Sequence, residues 1–182
     1  VGSEMCIRDS VYPEDEFNKI QFEVMGSNFP WYVQESGVST NVKDGGYGFQ
    51  FTHQLRNIDG STSSHNNLFS DLYMRLGVKR LLRSKINLLY RTKNIHEFKP
   101  FHIDIESNWL GNQQWTTAIF YINTNNGYTL FEDGTKIESV ANRIIEFDGD
   151  TRHTGSTHTI ATPCHKYDEG RFRVVLNINF LR

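Results

Sequence analysis

The sequence predicts an α+β protein, mainly β, with N-terminal helices and a jelly-roll or small-barrel core. Three observations predict this class. Apolar residues recur near the helical period of 3.6 up to about residue 76, and near the strand period of 2 afterwards. Eight short period-2 segments then follow one another, most of them separated by Gly, Asn and Asp in turns such as NTNNG, EDGT and DGD. The length of 182 residues suits one core domain. Thirteen Phe, eight Tyr and 22% charged residues fit a soluble globular composition, and no apolar run approaches the ~20 residues of a membrane span. A formal net charge of −2 gives no pull toward nucleic acid. No repeat or low-complexity tract is present.

Residues 1–10, VGSEMCIRDS, have no periodicity. Glu-Met-Cys-Ile-Arg-Asp is what GAG-ATG-TGT-ATA-AGA-GAC encodes, a string like the end sequence of a transposase-based sequencing library. The segment reads as a translated scar, leaving residues 11–182 as a single domain with its β core at about 84–182. Cys6 then drops out. Cys164 alone cannot form an internal disulfide, so a reducing cytoplasm is the expected setting.

The elements follow in order. Pro13 suits the start of a helix, and Glu14, Asp15 and Glu16 suit its positive end. Phe17, Ile20 and Val24 fall on one helical face, and Gly26 ends it. NFPWYV reads as extended, and KDGGYG and NIDGSTSS as loops. From Ser64 to about Leu76, Leu68, Phe69, Leu72, Tyr73 and Leu76 predict an amphipathic helix. Strands are expected at 84–90, 100–106, 115–123, 127–132, 135–140, 143–148, 152–158 and 171–180.

Within the second strand, FHIDIE alternates Phe101, Ile103 and Ile105 with His102, Asp104 and Glu106. An ordinary strand with a wet side has this pattern. So does a strand that presents an imidazole and a carboxylate side by side to a metal. NRIIEFDGDTRHTG supplies a third donor, His153, after a tight turn. An antiparallel barrel returns the chain to the same place across such a separation. Two His and one carboxylate on one face, with open positions opposite, form the facial triad of non-haem Fe(II) oxygenases. His158 is the rival distal ligand; five residues on, it faces the other side of a regular strand. In RFRVVLNINF, Phe172, Val174, Leu176, Ile178 and Phe180 form one face, and Arg171, Arg173, Val175, Asn177 and Asn179 the other. Polar groups on an inner face are costly unless something polar or anionic binds there; a solvated face is the alternative.

Taken together, His102-x-Asp104, TTAIFYIN, NGYTLFEDG, NRIIEFDGDTRH and RVVLNINF resemble the 2-oxoglutarate- and Fe(II)-dependent oxygenases over roughly residues 80–180. The chain is most similar to the small prolyl-hydroxylase-like members found in marine phage and bacteria. The resemblance implies a double-stranded β-helix (cupin-like) core, Fe(II) held by His102, Asp104 and His153, and 2-oxoglutarate and O2 as cosubstrates. It implies that Arg173, or Arg171, takes the far carboxylate of 2-oxoglutarate with Tyr121. Arg171 adjoins the loop CHKYDEG, whereas Arg173 lies deeper in the strand. STHTIATPCHKYDEG is longer than the corresponding stretch of the resembling sequences. Thr117, Asn123 and Asn177 are further pocket-lining candidates. The implied activity is a hydroxylase acting on an unidentified small molecule or peptide. A cupin-like metalloenzyme without 2-oxoglutarate and a non-catalytic phage barrel are the competing readings. Neither a membrane nor a nucleic acid is indicated as partner. The basic run Lys79–Lys93 reads as a solvated face, and Cys164 as a bystander.

Overall fold

The computed structural model describes residues 5–34, 50–98, 100–106, 110–111, 113–160 and 170–182. In chain order its elements are β1 (Cys6–Arg8), α1 (Glu14–Met25), β2 (Tyr32–Gln34), β3 (Gln50–Arg56), a 3-10 turn (Ser64–Phe69), α2 (Ser70–Arg75), β4 (Arg80–Tyr90), β5 (Thr116–Tyr121), β6 (Tyr128–Phe131), β7 (Lys136–Glu138), β8 (Arg143–Asp148), β9 (His153–Gly155) and β10 (Phe172–Leu181). The strands form an antiparallel seven-stranded sheet, ordered β1-β8-β5-β10-β4-β3-β2, and a three-stranded sheet, β7-β6-β9. This is the expected mainly-β double-stranded β-helix, a jelly roll with its helices near the N-terminus.

One face of the large sheet is apolar because every second residue of its strands is. Val174, Leu176, Ile178 and Phe180 of β10, Ile86 and Leu88 of β4, and Ala118 and Phe120 of β5 share one buried cluster with Phe17, Ile20 and Val24 of α1 and Phe69, Leu72 and Tyr73. Phe17 meets Phe120 edge-on, with centroids 5.9 Å apart. The Gln21 amide donates to the Ile122 carbonyl at 2.6 Å, so the one polar group on the buried face of α1 is satisfied. On the other face, Ile119, Tyr121, Ile145, Phe147 and Val175 pack against Phe131 and Ile137 of the small sheet.

The structure departs from the sequence expectation in four places. The helix expected at 64–76 opens as a 3-10 turn and becomes α-helical only at Ser70. Ser64, His65, Asn66 and Asn67 are weak helix formers, and Ser63 caps the turn by accepting from the His65 amide. Residues 100–106 form no regular strand: His102 and His153 exchange both backbone hydrogen bonds at 3.0 Å, after which the chain bends away. The segment between the two Gly-rich stretches contains β3, whose Phe51 and Leu55 join the helix-side core. Of the segment read as a scar, Cys6–Arg8 pairs with β8, and Asp9 binds Arg143 at 2.6 Å. Cys164 and most of STHTIATPCHKYDEG lie outside the described residues.

Candidate metal centre and anion pocket

His102, Asp104 and His153 come together at one end of the space between the sheets. Their candidate ligand atoms all lie within 4.8 Å of one another. The local fold explains why. His102 is hydrogen-bonded to β9 through the reciprocal backbone pair, so it belongs to the small sheet. The bend after it turns Asp104 onto the large sheet, and Ile105 inserts beside Leu82 and Trp115. The three groups therefore clip the two sheets together.

Each group has a partner that orients it. His153 is 2% exposed, and its Nδ1 lies 3.0 Å from the Thr151 carbonyl oxygen. A carbonyl only accepts, so Nδ1 carries a proton, and the neutral tautomer this selects is the one with its lone pair on Nε2. That Nε2 is buried without a hydrogen-bond partner. The His153 ring is wedged edge-on against Phe147 at 5.0 Å. Asp104 Oδ2 accepts from the Asn179 amide at 3.1 Å, and the same amide donates to Thr117 Oγ1 at 3.0 Å. Asp104 Oδ1 lies 3.9 Å from His102 Nε2 and 3.7 Å from Arg83 Nη1. Burial works to raise the Asp104 pKa, but the Arg83 guanidinium, both imidazoles and the Asn179 amide outweigh it and hold the carboxyl well below its usual range. Burial lowers the pKa of His102, with Asp104 opposing. An ionised carboxylate beside two imidazoles, one of them with its Nδ1 held by a carbonyl and its Nε2 unpartnered, is a donor set for a divalent metal, and the orphaned Nε2 has no other use in the described structure.

The triad lines a cavity of about 100 Å³. Arg173 lines its far end, only 1% exposed, with Nε donating to Ser139 Oγ at 2.8 Å. Among the described residues no carboxylate forms an ion pair with it. Burial pulls the guanidinium down to about 10 from its ordinary value, partly offset by Tyr121. Gly127 passes directly beneath: a Cβ there would sit 2.6 Å from Arg173 Cδ.

The other expected site residues are distributed unevenly. Arg171 is exposed at the strand's start. Asn177 lines the cavity. Tyr121 is buried one layer back; its hydroxyl donates at 2.9 Å to Thr129 Oγ1, and Thr129 forms the wall. Burial raises the Tyr121 pKa. Thr117 acts through Asn179 rather than lining the cavity. Asn123 does not line it either: its amide donates to the Phe172 carbonyl at 2.7 Å and its Oδ1 accepts from the Val174 amide at 3.0 Å, anchoring the start of β10. His158 is buried beside Arg91, outside the cluster. The sequence reading missed Arg83, Lys85, Asn87 and the role of Asn179. The basic run assigned to solvent turns Lys85 inward to the cavity, with Arg83 reaching Asp104. The signal was present in the alternation of Lys85 and Asn87 with Ile86 and Leu88.

No protein-family model and no curated relative matches the sequence. Solved structures do. A prolyl-4-hydroxylase from Pseudomonas putida is 14% identical with a TM-score of 0.52, the match covering 98% of this chain and 92% of that one. A prolyl hydroxylase from Trichoplax adhaerens, solved with a hypoxia-inducible-factor peptide, is 13% identical with a TM-score of 0.58, covering 97% and 83%. The non-haem, α-ketoglutarate-dependent epimerase SnoN is 11% identical with a TM-score of 0.53, covering 97% and 78%. At such identities the likeness establishes a shared fold, one that hosts both hydroxylation and epimerisation.

Proposed function

We propose that this protein is an Fe(II)- and 2-oxoglutarate-dependent dioxygenase, a hydroxylase that couples decarboxylation of 2-oxoglutarate to succinate with oxidation of a second substrate. One observation carries the reading: an orphaned imidazole nitrogen, an ionised carboxylate and a second imidazole share a cavity with a buried arginine that, among the described residues, has no carboxylate partner. Imidazole and carboxylate donors suit Fe(II). A buried, uncompensated guanidinium is costly, and an anionic ligand removes that cost through a bidentate pair.

His102, Asp104 and His153 would hold the iron. Bound iron with 2-oxoglutarate and O2 supplies the oxidation of an unactivated C–H bond. The chain's own contribution is to orient and to exclude water. Thr151 locks the His153 tautomer. Asn179 ties down Asp104 Oδ2 and leaves Oδ1 facing the histidines. Arg173, steadied by Ser139, would take the far carboxylate of 2-oxoglutarate, with Tyr121 contributing through Thr129. Leu89, Ile119, Val175 and Phe98 supply the cavity's apolar walls. No described helix is long and apolar enough to cross a membrane.

Anaerobic titration with Fe(II) and then 2-oxoglutarate tests the proposal. A metal-to-ligand charge-transfer band at one equivalent of each is expected. Iron binding without the band would favour a cupin-like metalloenzyme that does not use 2-oxoglutarate. Absence of iron binding would favour a non-catalytic barrel.

A further inference from the structure

The cavity has a second polar arm that the triad and Arg173 do not use. It is made by Lys85 and Asn87 of β4 and Asn177 of β10, with Gln50 of β3 beyond them. Lys85 stands opposite Asn177 in the β4–β10 register, and Asn87 stands two residues further along β4. Asn177 shares β10 with Arg173, while Lys85 and Asn87 stand on the neighbouring strand β4, opposite Gln54 and Thr52 of β3.

Each is unsatisfied in a complementary way. Asn87 is 6% exposed, and its Oδ1 and that of Asn177 are both buried without hydrogen-bond partners. Two orphaned acceptors call for N–H donors. The Lys85 ammonium has one weak contact, Gln34 Oε1 at 3.5 Å, and no carboxylate within ion-pair distance among the described residues. Arg83 already sits against Asp104, and Arg173 is committed to the cosubstrate. Lys85 is therefore a cation left over. Burial, reinforced by Arg83, holds its pKa down at about 8, so its charged form gains from any anion that arrives.

We propose that this arm binds a free α-amino acid as the substrate oxidised at the metal, its carboxylate on Lys85 and its ammonium on the Asn87 and Asn177 side-chain oxygens. The inference rests on the dioxygenase reading above. A capped peptide unit offers neither the carboxylate nor the ammonium.

The experiment is calorimetry on the full chain, metal-free and loaded anaerobically with Fe(II) and 2-oxoglutarate. The probes are the common free L-α-amino acids and the same residues as N-acetyl amides. The expected result is that at least one free amino acid binds and shifts the charge-transfer band, while its capped form does not. Lys85→Met should weaken that binding about thirtyfold or more, and Asn87→Leu should also weaken it, with 2-oxoglutarate affinity within twofold of wild type in both. Retained 2-oxoglutarate binding shows that each variant is folded. Equal binding of free and capped forms, no binding of any free amino acid, or an unaffected Lys85→Met would overturn the inference. A Lys85→Met variant that loses 2-oxoglutarate instead would also overturn it, by making Lys85 a cosubstrate anchor. Failure of the wild type to take up iron and 2-oxoglutarate would instead sink the dioxygenase reading, and free amino acid binding to the metal-free chain then decides the arm separately.

Discussion

The two faces of β10 differ in almost every respect. On one, Val174, Leu176, Ile178 and Phe180 are fully buried against the helices. On the other, Arg173, Asn177 and Asn179 reach the cavity or the Asp104 carboxylate. Neighbouring residues one position apart thus serve opposite purposes: the even-numbered ones hold the sheet to its helices, and the odd-numbered ones equip the space between the sheets. A strand with strict period 2 can carry stability and chemistry at once because the two never share a side chain. Substitutions should sort by parity.

The sharpest test is on the carboxylate that the odd face supports. Asp104→Ala should abolish turnover and stoichiometric Fe(II) binding while leaving the far-ultraviolet circular dichroism unchanged; an active variant would break the assignment. On the even face, Leu176→Ala should cost about 2–5 kcal/mol of stability, measured by denaturant midpoint, with 2-oxoglutarate affinity of the folded fraction unaltered. Arg173→Ala should show the reverse. Removing one partner of a buried charge pair costs roughly 2–5 kcal/mol, about thirtyfold to several thousandfold in the dissociation constant for 2-oxoglutarate. Iron binding should stay near normal. Arg171→Ala should change that constant only a few-fold, and the opposite ranking would move the anchor to Arg171. Asn179→Ala should weaken Fe(II) by about ten- to a hundredfold, read by competition with a chelator, and leave the Arg173 end untouched.

The smallest effect is expected from an element far from β10. Removing residues 1–10 deletes a three-residue edge strand in which Ile7 is 46% exposed. The Arg8–Glu146 ion pair goes too, but Arg182 also contacts Glu146. Partly exposed pairs contribute about 0–1 kcal/mol each. The melting temperature should fall by a few degrees at most, with iron and 2-oxoglutarate binding intact. A drop of tens of degrees would make this segment integral to the fold.

Much of this division was legible in the sequence because it is written in alternation. The unbroken RFRVVLNINF separates its faces with no knowledge of what packs on either. His102, Asp104 and His153 were legible as residue types at a workable spacing, although the strand that was to align the first two is replaced by a bend that carries them to different sheets. What stayed hidden depends on contacts distant in the chain. Lys85 and Arg83 look like solvated bases until β3 and β10 flank them. Thr117 looks like a wall residue until Asn179 claims its hydroxyl. Asn123 looks the same until β10 begins beside it. No element is expected over residues 50–56, where β3 sets Thr52 and Gln54 opposite Asn87 and Lys85 and brings Gln50 to the cavity wall.

Gly127 leaves a mark on how this protein can evolve. The space above it belongs to the Arg173 side chain, so while the arginine remains, even the smallest side chain at 127 collides with it. Once the arginine is gone, Asn125 Oδ1 still stands 2.8 Å from such a Cβ, so a larger residue can enter only as that amide gives way. Each such replacement then bars the way back, because a returning arginine would find its place filled. The glycine works as a ratchet: lineages that keep Arg173 in this place must keep Gly127, and those that fill the space lose the option of regaining the arginine.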